Sequence, residues 1–502
     1  MACRFAIAIP CILIPISLGY AYYRYKYNYF ERCGIPHLKC NTALTRTNHK
    51  HHVRHVYNIF KTLTPIAGLY LNETPTIVIL ELELIKRVLI NDFSNFHDRF
   101  NEKPNHKDLL HTFDNIEWQA ARRKLGPCFW SAKMDYIFPS VIKAAEASIE
   151  EISNILERST KSLDLQIFCT NYAINALLSC VFGVELNQNK TDESTKVLRT
   201  LLVELLMNEY ETRYLMNSVM TNICWRRCTR HAQLAKPELG AQLDSAVRAL
   251  VKERRALKVK RNDILQIFVD MLDDVGDDST AINSKESAMQ LFTKTLYTLL
   301  TGFVKTAKTL THCLHELARN NEIQNILRFD IERVMKNYEQ KFSYEAMGHM
   351  HYLDQVVAET LRKYPLSEVL IRRTVQNYRV PDTAYTIERN TCVLVPVYAI
   401  HHDSSIYPKP EQFDPSRFDA AVVMARHACA YLSFDDGPRN CMGKRLSKML
   451  IKVAVFMLLQ SYVIACEYEG SENLALDGEK TKNNQSKIVV EIEKINLVKD
   501  GK

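Results

Sequence analysis

The chain has 502 residues, with 65 Lys and Arg against 57 Asp and Glu, a formal net charge of +8. That length suits one large enzyme core or a few ordinary domains, and 47% apolar with 24% charged residues excludes disorder as the main state. The 14 glycines never form G-x-G, which excludes the usual dinucleotide and phosphate-loop fingerprints, and the mild basicity is too weak to imply nucleic acid.

Phe5 to Tyr22 is an uncharged, mostly apolar run of 18 residues. As a helix it would reach about 27 Å, close to the hydrocarbon thickness of a bilayer. Tyr20, Tyr22 and Tyr23 end it like an interfacial belt. Arg24, Lys26 and Arg32 follow, which places the rest of the chain on the cytoplasmic side. Pro10 and Pro15 should kink the helix. The alternative is a cleaved signal peptide, but the run is long for one and lacks a clean small-residue cleavage site. The expected organisation is therefore an anchor over 1–26 and a catalytic unit over 27–502.

Beyond the anchor, Ile77 to Val88 mixes strand-like and helix-like positions. From about Leu125 to Arg362 the pattern is mainly helical, with apolar clusters at Leu201 to Met207 and Leu291 to Leu300. A basic stretch, Lys252 to Arg261, and an acidic one, Asp270 to Asp278, read as solvated loops. Thr374 to Val397 predicts short strands, Met442 to Gln460 a helix, and Lys487 to Val498 a last strand. No repeat and no Pro/Gly/Ser linker divides the chain. The 14 cysteines are scattered, none in C-x-x-C spacing, and read mostly as buried thiols in a reducing compartment.

One cysteine stands apart. Phe434-Asp-Asp-Gly437-Pro-Arg439-Asn-Cys441-Met-Gly443 places Phe, Gly, Arg, Cys and Gly in F-x-x-G-x-R-x-C-x-G spacing. Such a match arises by chance on the order of 10⁻⁴ per chain at ordinary residue usage. A helix starting just after Cys441 would aim its backbone N–H groups and positive dipole at the sulfur and favour the thiolate. Gly437 and Gly443 would let the loop turn tightly. Glu359 and Arg362 lie three apart on a helix, hence side by side. Trp118 and Arg122 are one helical turn apart.

With these motifs the chain resembles the cytochrome P450 haem-thiolate family. Asp92-Phe-Ser-Asn-Phe-His-Asp-Arg99, Leu361-Arg-Lys-Tyr-Pro365, Pro396-Val-Tyr-Ala-Ile-His-His-Asp403 and Ile406-Tyr-Pro-Lys-Pro-Glu-Gln-Phe-Asp-Pro415 are similar to insect microsomal members of the xenobiotic- and plant-toxin-metabolising clade. The resemblance implies a mainly α fold with a small β region, preceded by one transmembrane helix. It implies haem b (iron protoporphyrin IX) with Cys441 on the iron. Trp118, Arg122, Arg372, Phe434, Arg439 and Gly443 would hold the cofactor. Glu359, Arg362 and Arg417 would form a structural lock, with Ser416 where the family has Glu.

The implied activity inserts one oxygen atom from O2 into a small apolar substrate, a xenobiotic, plant toxin or endogenous lipid-like compound. Electrons would come from NADPH through NADPH-cytochrome P450 reductase, with cytochrome b5 as a further donor, at the endoplasmic-reticulum membrane. Lys444, Arg445, Lys448 and Lys452, with Arg123 and Lys124, would offer a basic docking face. Asn101 to Ile116, Leu205 to Val219, Thr301 to Thr306 and Leu366 to Ile371 would line the substrate pocket.

The chain departs from the family in its long central helix. Thr301-Gly302-Phe303-Val304-Lys305-Thr306 aligns with Ala-Gly-Phe-Glu-Thr, so Val304 replaces the acid and Lys305 the threonine that relay protons. Lys305 and the adjacent Thr306 are the remaining catalytic candidates, although one residue is about 100° of helix rotation. Two alternatives follow: a hydroperoxide-using isomerase or dehydratase, or a degenerate haem- or ligand-binding protein.

Overall fold

The computed structural model describes residues 17–22, 24–25, 27–38, 49–71, 74–99, 115–158, 161–184, 193–207, 237–258, 260–274, 285–466 and 488–495. The expected span Phe5 to Tyr22 lies outside the described residues except for 17–22, which are helical and exposed. Among the described residues no helix is long and apolar enough to cross a membrane. Of the pocket segments, Asn101 to Ile116 and Leu205 to Val219 lie outside the described residues but for 115–116 and 205–207.

The longer elements, in chain order, are α1 (His49–Phe60), β1 (Ile66–Leu71), β2 (Thr74–Ile79), α2 (Asn115–Leu125), α3 (Ser131–Arg158), β3 (Ser162–Asp164), α4 (Leu165–Ala176), α5 (Glu193–Met207), α6 (Pro237–Leu257), α7 (Ile264–Asp274), α8 (Lys285–Arg319), α9 (Asn321–Asn337) and α10 (His351–Lys363). Then come β4 (Leu370–Arg373), β5 (Tyr378–Arg379), β6 (Thr386–Ile387), β7 (Cys392–Val395), α11 (Lys444–Ser461), β8 (Tyr462–Cys466) and β9 (Val489–Lys494).

Helices dominate. The 35-residue α8 runs through their middle. Leu296, Leu300, Phe303, Ala307, Leu310, Leu314 and Leu317 recur at helical spacing and are all buried. That stripe packs α8 on α4, α10, α11 and β8. The α4 start is fixed by Asp164, whose carboxylate accepts from the Gln166 and Ile167 amides at 3.0 and 3.2 Å. A second core wraps a four-stranded sheet of order β1-β2-β7-β4 against α1. Only the β2–β7 pair is parallel, with Val78 opposite Leu394. A three-stranded sheet, β3-β9-β8, closes the end of the helical core.

Three expectations change. The basic stretch Lys252 to Arg261 is largely the end of α6, not a loop. Arg254 is buried there because Asp263 neutralises it at 2.6 Å and the Phe182 carbonyl accepts from it at 2.8 Å. Asp270 and Asp273 of the acidic stretch belong to α7, whereas 275–278 lie outside the described residues. The last helix begins at Lys444, with Gly443 as its cap, rather than at Met442.

Candidate active site

Cys441 ends a tight loop. Its amide donates to the Phe434 carbonyl at 2.9 Å, and the Asn440 amide donates to the Gly437 carbonyl at 3.1 Å. Gly437 has φ +73°, and a Cβ there would sit 2.0 Å from the Leu89 carbonyl oxygen, so only glycine fits. Gly443 is different: a Cβ there would meet nothing within 4 Å, and its φ of −80° suits any residue. Gly437 is thus the glycine that the protein backbone itself requires. Gly443 caps α11, and its amide bonds the sulfur and draws the Cys441 thiol down.

Cys441 is the one exposed cysteine among the described residues. Yet burial is the largest influence on its thiol and pushes it up, against the Gly443 amide, Lys305, Arg99 and Arg122, which favour the thiolate. The two facts agree if the sulfur opens onto an internal slot. Lys305 behaves likewise: it keeps partial exposure, and burial pushes its ammonium down.

Arginines ring the loop. Arg122, from α2, donates to both the backbone and the side-chain oxygen of Asn440. The guanidinium of Arg439 lies 4.5 Å over the Trp118 ring, one turn before Arg122 on the same helix. Arg372, on β4 and fully buried, donates to both Asp435 carboxylate oxygens at 2.8 and 2.9 Å. Arg99 reaches Asp435 at 3.3 Å and the Arg439 carbonyl at 3.4 Å. Asp98 is engaged elsewhere, by Arg373 at 2.6 Å and His97 at 2.8 Å. Asp435 is thus the carboxylate that Arg372 and Arg99 share. Burial, with Arg99 and Arg372 nearby, pushes Arg439 down to about 9. The buried Arg372 Nε makes no hydrogen bond. A cysteine loop bordered by Arg99, Arg122, Arg372 and Arg439 fits a flat dianionic macrocycle with a thiolate-seeking iron, whose propionates these arginines would hold.

The structure brings Glu359, Arg362 and Arg417 together. Glu359 and Arg362 are fully buried, with Arg362 Nε and Nη2 donating to the two carboxylate oxygens at 2.7 and 2.9 Å. Arg362 also donates to the His401 and Pro410 carbonyls at 2.8 and 2.6 Å, tying α10 to the chain ahead of the Cys441 loop. Arg417 Nε lies 3.4 Å from Glu359 and 3.9 Å from Asp414. Ser416 does not stand in for the family's acid. Its hydroxyl donates to Asp414 at 2.6 Å, and Asp414 is the second carboxylate near Arg417.

Thr306 is engaged within the fold. Its hydroxyl donates to the Gly302 carbonyl at 2.8 Å and meets the Ser447 hydroxyl of α11 at 2.9 Å. That contact ties α8 to α11. Burial and Arg99 push the Lys305 ammonium down, whereas Cys441 favours it. Val304 is buried and offers no proton. Lys452 leaves the docking face, because it is buried and donates to the Met347 carbonyl and Asp354 at 2.7 and 2.8 Å. Lys448 pairs with the same Asp354 at 2.8 Å. Lys444, Arg445, Arg123 and Lys124 remain exposed.

Sequence reasoning missed Arg99, Asp435 and Asn440. Arg99 closes a quoted motif, and the other two occupy variable positions of the cysteine motif. His401 was missed as well: its Nδ1 hydrogen-bonds the Arg362 carbonyl at 3.1 Å and its Nε2 accepts from the Leu432 amide at 3.0 Å.

Comparison with known proteins agrees with this geometry. The cytochrome P450 family profile matches residues 34–492. Probable cytochrome P450 6a13 of Drosophila melanogaster is 31% identical over 479 residues, 90% of this chain and 92% of that protein. Cytochrome P450 6a2 of the same species is 32% identical over 481 residues, 90% of this chain and 93% of its own. Cytochrome P450 6A1 of Musca domestica is 30% identical over 482 residues, 89% of each chain. The helical fold, the cysteine loop and these matches together show that the chain belongs to the cytochrome P450 family of haem-thiolate monooxygenases, whose haem b is held by a cysteine thiolate.

Proposed function

We propose that Cys441 is the axial ligand and that the chain inserts one oxygen atom from O2 into a small apolar substrate, with electrons from NADPH through NADPH-cytochrome P450 reductase. The observation that carries this reading is the sulfur itself. It is the exposed one among the described cysteines, and it lies in a loop with the Gly443 amide on the sulfur and Arg99 and Arg122 favouring the thiolate. The haem, when bound, supplies oxygen activation, helped by electron density from the thiolate.

The chain's own residues do the rest. The Gly443 amide and the nearby cations hold Cys441 anionic. Arg122, Arg372, Arg439 and Arg99 would hold the propionates, with Trp118 backing Arg439. The Phe434 carbonyl fixes the Cys441 amide. On α8, Lys305 is the one ionisable group of Thr301 to Thr306, so a timed proton comes from Lys305, from ordered water or from the substrate.

We further assign residues 1–26 as a membrane anchor and 27–502 as a catalytic unit on the cytoplasmic face of the endoplasmic reticulum. The uncharged run Phe5 to Tyr22, followed by Arg24, Lys26 and Arg32, supports this. Exposed Lys444, Arg445, Arg123 and Lys124 suit an acidic redox partner, with cytochrome b5 as a second donor. Deleting 1–26 should release the protein from membranes with its haem retained. A natural N-terminus near residue 25 would rule out the anchor.

The second reading is a hydroperoxide-using isomerase or dehydratase. Val304, which offers no proton, and Thr306, whose hydroxyl is engaged by Gly302 and Ser447, favour it. An untargeted product screen with reductase, NADPH and O2 separates the cases. Oxygenated product supports the monooxygenase. Turnover with a lipid hydroperoxide alone would replace it with the second reading. Neither would leave a binding protein.

A further inference from the structure

We propose that His401 is a positioning residue for the Cys441 sulfur, its ring coupling the lock on α10 to the cysteine loop through the backbone of Leu432. The inference rests on Cys441 being the ligand. His401 ends the short helix Val397–His401 and is fully buried. Arg362 Nη1 donates to the His401 carbonyl at 2.8 Å, and His401 Nδ1 lies 3.1 Å from the Arg362 carbonyl. A carbonyl only accepts, so Nδ1 carries the proton. The neutral ring then has its lone pair at Nε2, where the Leu432 amide donates at 3.0 Å. One tautomer satisfies both partners.

Leu432 is buried and held at both of its polar groups: its amide by His401 and its carbonyl by the Asp435 amide at 3.0 Å. Two branches leave this point. The Asp435 carboxylate takes Arg372 at 2.8 and 2.9 Å, and the Phe434 carbonyl takes the Cys441 amide at 2.9 Å. The neighbouring ties to α10 use side chains. The Tyr431 hydroxyl donates to the Ala358 carbonyl at 3.3 Å and the Ser433 hydroxyl to the Leu361 carbonyl at 3.1 Å. Those two hydroxyls tether the strand to α10 through rotatable side chains. His401 grips the backbone itself, and its ring stacks on that of Tyr431 at 5.5 Å and 13°. It therefore sets the rotation of the segment that carries Phe434 and Asp435. Outer partners of a metal ligand orient it in this way.

Two substitutions split the two ring bonds. His401→Gln reaches the Nε2 position with an amide oxygen and keeps the acceptor for Leu432. His401→Asn reaches only the Nδ1 position and keeps the donor to Arg362. Reduced carbon monoxide spectra of the holoproteins are compared at equal haem content. The ratio of thiolate-type to other complex should stay near the wild-type value in His401→Gln and fall at least about fivefold in His401→Asn, because a buried amide without an acceptor disfavours the working geometry by at least that factor. Hydrogen exchange of the Leu432 amide should be faster in His401→Asn than in the other two proteins. It is read whether or not a variant takes up haem, and unchanged protection in His401→Asn overturns the proposal. Equal spectral ratios in the two variants, both high or both low, overturn it as well, since the effect would not run through Leu432. So does a deficit in His401→Asn that Val247→Ala, a truncation in the buried face of α6, reproduces, because loss of stability alone would then explain it. Absence of the thiolate-type band from the wild type would instead overturn the Cys441 assignment.

Discussion

The loop around Cys441 and the Thr301 to Thr306 turn of α8 are the two segments that the family motif singles out, and they follow different rules. The loop keeps every residue its chemistry requires: a glycine where the backbone needs one, a cap amide on the sulfur, and arginines at the rim. The helix turn keeps its packing residues, with Phe303 and Ala307 buried, but has lost the acid and the alcohol. Holding a macrocycle and delivering protons to it are thus separable tasks. The first depends on buried charge and backbone shape, so its failure costs the fold. The second depends on two side chains pointing into a cavity, which can change without unfolding anything.

The largest effect should come from the lock. Glu359→Ala leaves Arg362 buried without its carboxylate, which typically costs about 3–5 kcal/mol. Haem incorporation and thermal stability should fall together; an unchanged melting temperature would mean that the lock does not support the loop. On α8, Val304→Glu with Lys305→Thr restores the acid and alcohol. Positioned proton transfer is worth about 10² to 10⁴ in rate, so product formed per NADPH consumed should rise severalfold on one accepted substrate. Tight coupling in the wild type, or no gain, would show that protons reach the site by another route.

The two glycines sharpen the comparison within the loop. Gly437→Ala should cost about 1–3 kcal/mol or more through its left-handed φ and the Leu89 contact. Gly443→Ala should change stability by less than about 1 kcal/mol; equal losses would contradict the assignment of the turn to Gly437.

Acid should also act on the proximal half. Burial pushes His401 and His312 down to about 3 and His402 to about 4. An unfolded histidine titrates near 6.5, about three units higher. The unfolded chain therefore takes up protons first. Stability is full above roughly pH 6.5 and falls as pH drops towards the folded values, by about 1.4 kcal/mol per pH unit per histidine. Protonating His401 also removes the acceptor for the Leu432 amide at the entrance to the loop. A melting temperature flat from about pH 7 to 5 would contradict this.

The sequence made legible what rests on short-range chemistry. The cysteine motif, the Glu359–Arg362 pair and α8, α10 and α11 could be read because their partners lie within a turn or two, or because apolar spacing marks a face. Asp435 could not be read, because its meaning depends on Arg99 and Arg372, 336 and 63 residues away. The orientation of Thr306 depends on Ser447, 141 residues later, so rotation of the helix was not visible in α8 alone. The end of α6 read as solvated because its charges were visible, while Asp263 that buries Arg254 was one acid among many. Lys452 looked like surface for the same reason, until Asp354 and the Met347 carbonyl claimed it.

The most direct test of the central claim is the optical spectrum of the reduced carbon monoxide complex for wild type and for Cys441→Ala, each compared with Cys128→Ala and Cys429→Ala as buried controls. The thiolate-type band should be present in the wild type and both controls and absent in Cys441→Ala. A band that survives in Cys441→Ala, or that is lost in a control with haem still bound, would contradict the assignment of Cys441 as the residue that holds the iron.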